Sequence, residues 1–330
     1  MKNSISKISL FFFIFLYSYF PLRILLFPHL YDNYGSFGLI IGLIIFLILL
    51  SIFIIIPKKI LSLNHSFEKS YIKNIIKPLL LAKITLSIYF SSYVLKVLYF
   101  TEFNVLYIAL GLVLAILIIS RGKTSDVVSV STIFGIVALF SYVFYFYDLV
   151  SLDYSLLTKI KEFNYFTLLY ILFFIIDFLL LLLVDEGVRI NKLTIILGVL
   201  LSMLLFLFEF FILTLSAGDK LFLNVSTSGF IPLMIEPVSR YMGTFEYVSI
   251  IGITLSVIFK NSYYLSIIGN NSKGISIGFG ILIYLVIIGY SFILKDLLDV
   301  RFIVLIITLL LGLIIPWIIK EAYHARLAKE

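Results

Sequence analysis

Residues 37–56 read FGLIIGLIIFLILLSIFIII, without one charge, amide or proline. Coiled as an α-helix rising 1.5 Å per residue, such a run makes an apolar rod about 30 Å long, the thickness of bilayer hydrocarbon. A helix on the surface of a water-soluble core shows a polar face, and this one has none.

The rest of the chain agrees. Of its 330 residues 62% are hydrophobic and 13% charged, and its mean hydropathy is +1.18. Soluble domains hold about a quarter charged residues. Composition alone therefore predicts an all-α integral membrane protein in which 1–330 form a single polytopic domain. Apolar runs of span length fall at about 8–28, 37–56, 77–100, 104–120, 127–147, 164–184, 193–217, 244–262, 274–294 and 301–319, which predicts about ten transmembrane helices. Lys2 and Lys7 ahead of an apolar stretch imitate a secretory signal, yet Pro21-Leu22-Arg23 follows in place of a small-residue cleavage site. The segment reads as a retained first helix.

Lysine and arginine give the orientation, because loops rich in them stay on the cytoplasmic side. With the N-terminus inside, sixteen of the 25 basic residues fall on the cytoplasmic side, Lys260 among them, and six on the other; Arg23, Lys83 and Lys96 are left within spans. The net charge of +7 is thus a topological signal, with both termini cytoplasmic, and no nucleic-acid partner is expected. The longest stretch between spans, about 218–243, contains FIPLMIEPVSRYM and is too apolar for a free linker. It reads as a re-entrant or surface-lying segment over the external face.

Enzyme chemistry finds little footing. Cysteine is absent, and His29, His65 and His324 all lie outside the spans with no ligand spacing, so neither a metal site nor a cofactor is expected. Residues 269–280, GNNSKGISIGFG, lack a phosphate-cradling pattern and read as a cytoplasmic turn. A membrane acyltransferase acting on surface glycans is the strongest enzymatic alternative, but it uses an arginine and a histidine spaced further apart than Arg23 and His29.

Charge inside a span costs a few kcal/mol and ordinarily faces the bundle interior. Lys83 and Lys96 stand close enough to the ends of the third span to snorkel. Arg23, two residues after the kink expected at Pro21, Asp177 in the sixth span and Glu209 in the seventh do not. These three are the leading candidates to line a polar interior, with an ion pair that only fixes helix register as the alternative.

Three stretches resemble a known family. YDNYGSFGLIIGLIIFLIL (31–49) follows Pro28 like a glycine turn into a second helix. IISRGKTSDVVSVSTIF (118–134) places Arg121, Gly122 and Asp126 before the fifth span, and FIPLMIEPVSRYMGTFEYVSIIGITLSVIFKNSYYL (230–265) leads from a proline-bearing loop through Phe245-Glu246 into the eighth. Together they resemble the B subunit of spore germinant receptors, a branch of the amino acid, polyamine and organocation transporter superfamily. The resemblance implies an inverted five-plus-five repeat of the LeuT-like kind, one repeat over about 1–150 and the other over about 160–320. It implies a small-molecule site where the first and sixth helices break. It also implies a location in the bacterial cell or spore inner membrane, a germinant such as an amino acid, and A and C receptor subunits as partners besides membrane lipids.

This chain departs from that pattern in two spans. The first has Pro21 in place of a glycine pair, and the sixth, YFTLLYILFFIIDFLLLLLV (165–184), has neither Gly nor Pro. The departures favour a receptor over an amino acid permease of the same superfamily. The ligand-binding residues implied are Arg23 and Asp177, with Glu209, Tyr17, Tyr93 and Tyr170 secondary.

Overall fold

The computed structural model describes residues 6–20, 40–51, 70–98, 100, 102–141, 192–217, 243–269 and 273–293. Among these residues every regular element is an α-helix: α1 Lys7–Phe20, α2 Ile40–Ser51, α3 Ser70–Leu98, α4 Val105–Ser120, α5 Thr124–Ser141, α6 Lys192–Ala217, α7 Gly243–Ile268 and α8 Lys273–Ile293. Each coincides with one of the ten expected spans. The sixth and tenth of those spans, the external segment, Arg23, Asp177 and Tyr170 lie outside the described residues. Within α3, α7 and α8 the stretches Lys77–Lys96, Ile251–Ile268 and Gly274–Phe292 are long and apolar enough to cross a membrane. A fourth crossing is added if α4 and α5, bent by 118° across their break, count as one.

Local signals set the helix ends. Ser6 caps α1 by accepting the Ser9 N–H at 3.0 Å, and Asn104 caps α4 by accepting the Leu106 N–H, also at 3.0 Å. Between α4 and α5 the carboxylate of Asp126 reaches back to accept the Lys123 N–H at 2.9 Å, one half of a capping box. A Cβ on Gly122 would lie 3.0 Å from the Asp126 Cβ. The Arg121-Gly122-Asp126 signature is, in this fold, the machinery of a tight helix reversal.

α7 is the hub, packing against α1, α3, α4 and α5, while α1 packs against α5, α6 and α7. The helices α3, α4, α7 and α8 touch one another in every pairing. Centrality shows in burial, since 78% of the Ile251–Ile268 stretch of α7 is buried against 22% of Gly274–Phe292 in α8. Outward faces stay apolar: Tyr107 and Ile118 on α4, Ile133 and Phe140 on α5, and Leu285 and Phe292 on α8 are all largely exposed. A surface this apolar suits hydrocarbon as solvent.

One glycine from each neighbour lets α1 in. A Cβ at Gly135 of α5 would lie 2.7 Å from the Phe12 ring, at Gly198 of α6 3.0 Å from the Phe11 carbonyl oxygen, and at Gly252 of α7 2.5 Å from the Tyr19 ring. Small residues at such crossings let helices approach closely and gain van der Waals contact where no hydrophobic effect drives them together.

Candidate functional site: a lysine–tyrosine cluster between α1, α3 and α7

Most hydroxyls in these helices satisfy themselves locally. Ser18 donates to the Ile14 carbonyl at 2.9 Å, Thr85 to Leu81 at 2.8 Å and Ser92 to Ile88 at 2.7 Å, which hides their polarity within one turn. Others bond across helices: Ser262 of α7 donates to the Ile116 carbonyl of α4 at 3.2 Å, and one group joins side chains of three helices.

Tyr17, fully buried on α1, shares a hydroxyl–hydroxyl hydrogen bond with Tyr264 of α7. Their rings meet edge to face with centroids 6.1 Å apart. The ammonium of Lys260 lies 4.9 Å from the centre of the Tyr17 ring, and that of Lys83, on α3, lies 5.9 Å from the centre of the Tyr264 ring. Both distances are in the range of cation–π attraction. Beside them Asn261 extends its amide N–H to the Ser87 hydroxyl across the α3–α7 seam, a long contact of 3.4 Å. Below, Phe13 packs on Tyr263 with centroids 5.1 Å apart.

Helix periodicity explains why these groups meet. On α7 Gly252, Ser256, Lys260 and Tyr264 recur at intervals of four and form one ridge along the helix. Gly252 lies under Tyr19 and Tyr264 against Tyr17, so both ends of the ridge meet α1. Lys83 and Ser87 are likewise one turn apart on α3.

Of the expected site residues, Tyr17 is in this cluster. Tyr93 is half-buried on α3, ten residues and so about 15 Å of helix rise from Lys83, and lies apart from it. Glu209 belongs to α6, three turns beyond Gly198, with its side chain outside the described residues; Arg23, Asp177 and Tyr170 lie outside them altogether. Lys83, expected to snorkel, turns instead to the Tyr264 ring. Lys260, assigned from sequence to the cytoplasmic end of a span closing at residue 262, is 6% exposed inside a helix that continues to Ile268. Lys96, in the last turn of α3 and half-buried, sits where a cation complements the helix dipole.

Among the described residues no group of three His, Cys, Asp or Glu side chains could hold a metal ion. No family model, no curated protein and no solved structure matches the chain. Among the described residues, the helices and their membrane-capable stretches stand on the chain's own physics.

Proposed function

We propose that this chain is the membrane subunit of a spore germinant receptor, binding a small nutrient such as an amino acid within the bundle and passing a conformational signal to A and C subunits. The observation that supports it best is the Lys83, Lys260, Tyr17 and Tyr264 cluster, a polar focus shared by three of the described helices. Intramembrane cations held this way mark substrate pathways or ligand sites in membrane proteins. The sequence stretches at 31–49, 118–134 and 230–265 supply the family.

An inverted five-plus-five repeat goes with this reading: counted along ten spans, α3 and α4 are the third and fourth helices of the first half, and α7 and α8 the third and fourth of the second. The protein then resides in the inner membrane of the spore or cell with both termini cytoplasmic.

A receptor responds because its ligand binds one conformation better than another. Purified protein in liposomes, offered radiolabelled amino acids with and without a proton or sodium gradient, should show saturable binding and no accumulation. Accumulation against a gradient would make the protein a permease. Co-purification from spores with an adjacent-gene lipoprotein and a subunit bearing a soluble domain is the corresponding test for partners.

A further inference from the structure

We draw no further inference here: the strongest candidate, the outward face of α8 on which Gly274, Gly278 and Gly289 stand open beside the exposed Ile281, Leu285 and Phe292, is an unpartnered apolar face with a stripe of small residues, and nothing in the structure shows what covers it.

Discussion

Tyr17 and Tyr264 are 247 positions apart in the chain, and their shared hydroxyl bond joins the first helix to the hub of the bundle. A buried neutral hydrogen bond contributes about 1 kcal/mol net, and the loss of one partner strands the other. Tyr17→Phe and Tyr264→Phe should therefore each lower unfolding stability by about 1 to 2 kcal/mol, and the double variant should lose no more than either alone. Additive losses in a chemical or thermal unfolding series would mean that the two hydroxyls act apart. Replacing Lys260 with methionine keeps its stem packed but removes cation–π attraction of about 0.5 to 2 kcal/mol.

At this scale the sequence was legible in part. Tyr17 stands out as a hydroxyl deep in an apolar run. Lys260 does not, because Asn261, Ser262 and two tyrosines follow it and make the span look finished. The interval of four linking Gly252, Ser256, Lys260 and Tyr264 was the available signal, and it shows that polarity confined to one ridge continues a helix instead of ending it. Lys83 turns to the Tyr264 ring for a reason hydropathy does not carry: distance from a span end says how far a side chain can reach, not which way it turns.

The helices themselves were plainer. All eight coincide with apolar runs of span length, since a backbone in hydrocarbon must satisfy its own hydrogen bonds and the helix does so within one segment. What hydropathy cannot supply is which helices touch, because lipid and protein neighbours look alike to an apolar side chain. The glycines supply it. Gly252→Leu should destabilise the bundle by about 1 to 3 kcal/mol, as overpacking does, since the Tyr19 ring has nowhere to go. A Cβ at Gly111 or Gly278 meets nothing within 4 Å, so alanine there should leave the unfolding temperature unchanged or slightly raised. Asn104→Ala should cost α4 about 1 kcal/mol through loss of its cap, read from the same unfolding measurement.

For the whole molecule, moving Lys260 from a loop into α7 lowers the basic count on the cytoplasmic side by one and leaves the bias in place. The Lys123 turn and the start of α8 should then lie on one side of the membrane and Phe103 on the other. With no native cysteine, an introduced thiol reports its own position alone. Lys123→Cys and Gly274→Cys should be labelled by an impermeant maleimide only in inside-out vesicles, and Phe103→Cys only in right-side-out ones.

The account depends most on α1 lying against α5, α6 and α7, where it brings Tyr17 to the lysines. A Cβ on Gly198 would fall 2.9 Å from the Cβ of Ile14, and a disulfide holds that pair at about 3.8 Å. Oxidation of the Ile14→Cys, Gly198→Cys double variant in native membranes is predicted to give a fast, complete intramolecular cross-link. Failure to form it, or cross-linking only between separate molecules, would place α1 elsewhere and dissolve the site.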